Sequence, residues 1–238
     1  MILANRLRMM KPIPGLPDPN FPYTSDPYWN NVVLLLRGDG ANGSTSIVDS
    51  SGNAYSVTTI GTVTISTAQN PSGSIQFGSG AFFYVGMASE PLWADGFAYT
   101  FEATIFMSAY GGITHFMSQG ANNNNIFGVF SDGRLFRYNH SGAMVLTTNT
   151  VPLNRFVHIA CTSDGTIMKM FIDGIQGYSG ADVGVPCAGC NTHFGAGYVG
   201  GWNSHFPGLA NELRITKGVA RYTADFTPPT GPFPNTGP

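Results

Sequence analysis

The chain has 238 residues, of which 10% are charged against the roughly 25% usual in globular proteins. Its 31 glycines and 13% aromatic residues suit short strands joined by tight turns and argue against extended disorder. The net charge is −2, with no basic run beyond Arg6, Arg8 and Lys11, and no apolar stretch approaches the roughly 18 to 20 residues of a membrane helix, so neither nucleic acid nor a membrane is an expected partner.

Residues 1–27 carry six prolines between Pro12 and Pro27 and no strand-length alternation. Such composition favours extended structure without internal hydrogen bonds. The segment reads as an N-terminal arm, with Arg6, Arg8 and Lys11 as its anchoring charges. Ordering an extended segment costs about 1 to 2 kcal/mol per residue, so an arm of this kind is expected to gain order from a neighbouring molecule. Met1–Met10 lacks the apolar stretch of a secretory signal. A copy found outside a cell is therefore expected to reach it by another route, such as lysis.

From Tyr28 to Pro238 the chain reads as one domain of strands and turns. Strands are expected over Val32–Leu36, Ser74–Phe77 and Ala81–Val85, with a single helical turn at Glu90–Trp93. Tyr99, Phe101, Ala103, Ile105 and Met107 share one face of the next strand, and Thr100, Glu102 and Thr104 share the other. Further strands are expected at Ile113–Ser118, at Ile126–Ser131 joined through Asp132-Gly133 to Arg134–Tyr138, and at Ala143–Thr147. Val157, Ile159 and Cys161 alternate with Phe156, His158 and Ala160, so that strand is apolar on both sides and central. Ser163-Asp164-Gly165 turns it into the strand of Met168, Met170 and Ile172. After Thr192–Gly195 comes a last alternating strand, in which Glu212, Arg214 and Thr216 are expected to be wet while Leu213 and Ile215 pack. Tyr222 and Phe226 then anchor a return that Pro228-Pro229 prevents from continuing as an interior strand.

That last run, "NELRITKGVARYTADFTPPTGP" (Asn211–Pro232), resembles the closing segment of laminin-G-like, concanavalin A-like domains of the type found in bacteriophage and bacterial surface proteins. "NNVVLLLRGDGANGSTSIVDSSGNAYSV" (Asn30–Val57), "FAYTFEATIFMS" (Phe97–Ser108) and "NRFVHIACTSDGTIMKMFIDG" (Asn154–Gly174) are similar to its first strand, central strand and back hairpin. The resemblance implies an all-β fold, a two-sheet antiparallel jelly-roll sandwich, and the run of short alternating strands agrees with it. It also implies that the terminal strands lie side by side, with the closing latch near Val32–Leu36.

Hydrolysis of a glycosidic bond on such a fold needs two carboxyl groups facing one another across the sugar. The chain has three glutamates, and neither Glu90, Glu102 nor Glu212 has a second acid on its face. Asp39, Asp95, Asp132, Asp164 and Asp173 each precede glycine, where they serve turns. No catalytic residue is therefore expected, and no cofactor. Cys187 and Cys190, three residues before His193, read as a loop disulfide or two free thiols, since structural zinc would need further ligands. Cys161 reads as a small buried hydrophobe and His158 as a satisfied core histidine. Laminin-G domains often bind calcium, but no ligand string around Asp39 or Asp49 is legible, and no metal is expected.

Binding remains. Sugars stack an apolar face on aromatic rings and offer hydroxyls to Asn or Asp side chains. The loop candidates are Tyr110, the run Asn122, Asn123 and Asn124, and the group Trp202, Asn203 and His205. The resemblance implies a non-enzymatic bacteriophage virion protein, decorating the capsid or associated with the tail. It would be made in the host cytoplasm, be a homo-oligomer with a trimer as the family expectation, and contact other virion proteins through the arm. The alternative is a tail-fibre receptor-binding lectin module recognising a bacterial surface glycan.

Overall fold

The computed structural model describes residues 25–87, 96–120, 125–139, 144–182, 184, 187, 189–198 and 202–238. The one helical element described is a 3-10 turn at Trp29–Asn31, and no helix of the described chain is long and apolar enough to cross a membrane.

Two antiparallel sheets pack face to face. The larger has the order β13 (Ile175–Ala181), β12 (Ile167–Ile172), β11 (Phe156–Asp164), β6 (Ala98–Met107), β17 (Gly208–Lys217), β4 (Ser74–Phe77) and β3 (Val63–Ser66), with β1 (Val32–Leu36) also paired to β17. The smaller runs β10 (Met144–Thr150), β9 (Arg134–Asn139), β8 (Asn125–Val129), β7 (Thr114–Gln119), β14 (Thr192–Phe194), β5 (Phe82–Val85) and β2 (Val57–Ile60). A small hairpin of β15 (Gly197–Tyr198) and β16 (Trp202–Asn203) stands outside both.

The expected inward set, Tyr99 to Met107 on alternate positions of β6, is buried between the sheets, as are Val157, Ile159 and Cys161 of β11. Rings dominate the interior: Phe83 stacks on Phe194 at 5.1 Å and Phe101 meets Phe127 edge-on at 5.3 Å, the offset and T-shaped arrangements that aromatic quadrupoles favour. Burial raises the Cys161 thiol to about 12, so it behaves as the apolar filler expected of it.

The expected juxtaposition of β1 and the last strand holds, with Leu34 opposite Ile215 and Leu36 opposite Leu213. β17 offers one edge to two partners: Leu209 and Ala210 pair with β4, and Leu213 to Thr216 pair with β1. The division falls at Asn211 and Glu212, where Glu212 has φ of 51° and the register to β6 slips. The Asn211 side chain holds the fork by accepting from the Gly38 amide at 2.8 Å and donating to the Gly73 carbonyl. This is a β-bulge doing what bulges do at sheet rims, re-aiming a strand.

One expectation is corrected here. Glu212, Arg214 and Thr216 are not wet: they are 8%, 4% and 0% exposed. Period-two alternation reports which side a residue faces and not what later covers that side. Here the chain beyond Lys217 folds back over the outer face of the large sheet, with Tyr222 stacked on Phe226 at 3.6 Å and Phe226 against Phe171 at 5.3 Å. The folded body also takes in Asp26, 1% exposed, whose amide donates to the Thr236 carbonyl. The segment that resembled an arm through Pro27 thus joins the domain at Asp26, and the rest of it, with Arg6, Arg8 and Lys11, lies outside the described residues, as does Glu90–Trp93.

Candidate functional site

The outer faces of the two sheets are chemically unlike. On the large sheet, beneath the latch, Glu102 of β6 is fully buried and accepts from Arg214 Nε and Nη2 at 2.9 and 2.8 Å. Its second oxygen accepts from the Tyr222 hydroxyl and lies 3.1 Å from His158 Nε2. Asp26 bridges Arg214 and Arg221, each at 2.8 Å. Burial opposes ionisation of Glu102, but Arg214, His158 and Arg221 outweigh it and hold the carboxyl well below the usual range. Arg214 also lies 3.8 Å over the Phe233 ring.

This cluster is a fastener. It ties the root of the N-terminal segment, two central strands and the latch around one carboxylate that is wholly buried, with its acceptors filled. His158 is buried as expected but only half satisfied: Nε2 meets Glu102, while Nδ1 has no hydrogen-bond partner among the described residues, and the ring lies under the latch and not between the sheets. Glu212 sits apart, accepting from the Phe233 amide at 2.8 Å with Arg37 3.7 Å away. Asp49 is similarly occupied, accepting from the amides of Leu35, Ser51 and Tyr55 and from the Ser51 hydroxyl.

The outer face of the small sheet is different. Strand pairing puts Thr58 opposite Tyr84, Tyr84 opposite His193 and His193 opposite Ser118, so these share the outward side, while the partners Phe83 and Phe194 point in. Tyr84 and His193 rings are 5.9 Å apart, and Phe82 lies 6.4 Å from His193 and 6.2 Å from His205. Thr58 and Ile60 extend the row and are exposed; Tyr84, His193, Asn203 and His205 are half-buried. The result is a shelf of rings with polar edges, open towards β2.

Residues 195–198 and 202–206 bound it. The Gly195 amide donates to the Phe116 carbonyl, the His115 amide to Ser204, the Ser118 hydroxyl to Ala196 and the Phe206 amide to Gly195, all between 2.7 and 2.9 Å. Under it lies His115, 5% exposed, against Phe136. Gly197 permits the contact, since a Cβ there would fall 1.9 Å from His115 Nδ1. Burial lowers both His115, also repelled by His205, and His193 to about 4, so both are neutral at neutral pH. The Nδ1 atoms of His115 and His205 have no hydrogen-bond partner among the described residues.

The structure therefore brings His205 together with Phe82, Tyr84, His115 and His193, and of these four the sequence pattern raised only His193, beside Cys187 and Cys190 as a metal ligand set that was not expected to hold; Asn203 stands in the same hairpin, opposite Gly197. Trp202 pairs its backbone with Tyr198 in the same hairpin; its side chain, like Asn122, Asn123 and Asn124, lies outside the described residues. Tyr110 is elsewhere. Its hydroxyl donates to the Val151 carbonyl and its ring lies where a Cβ on Gly133 would be, 2.4 Å away. It clamps a turn and is not a free stacking platform.

The strand ends that frame the 121–124 segment hold a polar set facing inward. Arg137, wholly buried, donates to Asn125 Oδ1 at 2.8 Å and to the Ile126 and Tyr138 carbonyls, and Tyr99 donates to Asp182 at 3.2 Å. Cys187 and Cys190, at the same end, are joined in a disulfide, which decides between the two readings of that pair. Among the described residues no group of three or more His, Cys, Asp or Glu is placed to hold a metal ion.

Comparison with known proteins points the same way as the fold. A family described as the concanavalin A-like lectin/glucanases superfamily matches residues 77–221. No curated protein sequence matches the chain. Among solved structures, domain 4 of AbnA, a GH43 extracellular arabinanase from Geobacillus stearothermophilus in complex with arabinotriose, superposes with TM-score 0.60 at 19% identity, covering 80% of this chain and 94% of that one. The binding domain of Paraclostridial Mosquitocidal Protein 1 gives 0.63 at 16%, covering 81% and 50%. The binding domain of Botulinum Neurotoxin DC in complex with SialylT gives 0.56 at 13%, covering 79% and 48%. The chain thus spans about half the length of the two toxin domains, and at these identities the likeness is one of fold.

Proposed function

The chain belongs to the concanavalin A-like lectin/glucanases superfamily, and from that membership we propose that it is a carbohydrate-binding module that holds glycan without cleaving it, on the outer face of the small sheet. The observation that carries this is the shelf itself: Tyr84 and His193 at 5.9 Å, backed by Phe82 and His205 and edged by Thr58. Rings give a sugar its apolar contact, and the imidazole and hydroxyl edges meet its hydroxyls. Binding without cleavage is supported by where the acids are. Glu102 and Asp26 are bound to arginines under the latch, on the opposite sheet, and glycosidases need one carboxyl kept protonated beside a free one. The arabinotriose complex of the arabinanase domain and the SialylT complex of the toxin domain, both on this fold, support the same reading. Glycan-array binding followed by titration tests it. Tyr84→Ala and His193→Ala are expected to weaken the best array ligand by about tenfold or more with the unfolding midpoint little changed. Binding untouched by either substitution sinks the proposal.

The wider setting we assign to the module is a bacteriophage particle, as a capsid-decorating or tail-associated homo-oligomer joined to other virion proteins through the segment bearing Arg6, Arg8 and Lys11. A tail-fibre receptor-binding lectin is the alternative. Support for the particle comes from the resemblance carried by Asn211–Pro232 and from a surface poor in charge, which suits a molecule partly covered in an assembly.

A further inference from the structure

Charge is distributed unequally between the two faces. Strands β2, β5, β14, β7 and β8 and the whole segment 195–207 contain no Asp, Glu, Lys or Arg. Within the small sheet only β9 carries charge: Arg137, which points inward to Asn125, and Arg134, which is paired with the exposed Asp132 at 2.8 Å. The opposite outer face and its latch hold Asp26, Glu102, Arg214 and Arg221. Among the described residues the shelf is thus built from groups that hydrogen-bond without a formal charge at neutral pH: the Tyr84 phenol, the Thr58 hydroxyl and the His193 imidazole.

Accepting the carbohydrate reading above, on which this rests, we propose that the shelf selects uncharged sugars and excludes acidic ones such as sialylated, uronic or sulfated glycans. An anionic sugar entering would lose hydration and find no cation and no charge-assisted donor on these strands, which is costly for a charged group brought against a partly desolvated surface. A neutral sugar loses only hydroxyl hydration and regains it from the phenol, hydroxyl and imidazole edges. His193 and His115 do not change this near neutrality, since burial lowers both to about 4: His193 lies beside Phe82 and Tyr84 with Ser118 opposite, and His115 lies against Phe136 and Gly197.

The test is titration of the full chain with matched probes: arabinotriose, lactose and galactotriose against sialyllactose, trigalacturonate and a heparin trisaccharide, with Tyr84→Ala and Thr58→Lys variants alongside. Thr58 is exposed on the edge strand opposite Tyr84, so a lysine there adds charge without disturbing the core. The expected result is that an uncharged probe binds about tenfold or more tightly than its acidic counterpart. Its affinity should hold within about twofold as salt rises from about 0.05 M to about 0.5 M. Thr58→Lys should raise acidic-probe affinity severalfold and make it salt-sensitive. Acidic probes binding as well as neutral ones, in a manner lost in Tyr84→Ala, overturn the selectivity and leave the carbohydrate reading standing; so does a Thr58→Lys chain that discriminates as the native one does. If no probe binds, or Tyr84→Ala changes nothing, the carbohydrate reading falls and the selectivity with it.

Discussion

At the scale of single residues, the molecule separates two kinds of buried polar group. Glu102 is ionised and saturated, its oxygens shared by Arg214, Tyr222 and His158; removing one partner of such a cluster leaves an uncompensated charge. His115 is the opposite case, neutral and enclosed by Phe136, Gly197 and His205. Its folded pKa of about 4 lies below the unfolded value of 6.5, so the unfolded chain binds more protons between the two. Stability contributed by the neutral imidazole is therefore complete above about pH 6.5 and is lost as the pH falls towards 4. The full shift corresponds to about 3 kcal/mol at most. Denaturant unfolding across that window should show the native chain losing stability more steeply than His115→Phe. Parallel profiles would show that His115 is not the group responsible.

At the scale of elements, the latch and the hairpin strands β15 and β16 with residues 204–206 do the same job on opposite faces, each covering a sheet whose own strands cannot say that it will be covered. The latch depends on one close approach. Asp173 and Gly174, with φ of 48° and 75°, turn β12 into β13, and the Gly174 carbonyl accepts from the Phe226 amide at 2.9 Å. A Cβ at Gly174 would fall 1.9 Å from the Phe226 carbonyl oxygen, and the backbone there is left-handed. Gly174→Ala is therefore expected to lift the 222–226 return and cost about 2 kcal/mol or more. Faster hydrogen exchange at Phe226 and Arg221 should report it, with exchange at the Phe116 and Phe194 amides unchanged. Uniform loss of protection throughout the domain would mean that the latch does not open separately.

At the scale of the whole molecule, the two faces divide the work: the charged face ties the N-terminal root to the latch, and the uncharged one presents the shelf. The root is fixed through Asp26, held by Arg214 and Arg221 and by the Thr236 carbonyl. Because residues 1–24 precede this tie, deleting them should leave the unfolding midpoint within a few degrees of the native value and glycan affinity unchanged, while preventing incorporation into particles. Normal incorporation of the truncated chain would end the anchoring proposal; collapse of the midpoint would show that the segment belongs to the fold.

The sequence by itself determined the architecture. Alternation in Tyr99–Met107, doubly apolar Val157–Cys161, the Asp-Gly turns and the closing run at Asn211–Pro232 are local signals, since strand period and turn chemistry act between neighbours in the chain. Val57–Ile60, Val63–Ser66 and Ile175–Ala181 escaped because short strands with mixed faces carry little periodicity. What only the tertiary structure decided was which face each polar residue meets. Arg214 and Glu102, 112 positions apart, become partners only when β17 lies beside β6. Tyr84, His193 and His205 become one shelf only when β5 and β14 pair and the hairpin folds back across them. Such meetings depend on long-range pairing, which no local pattern encodes.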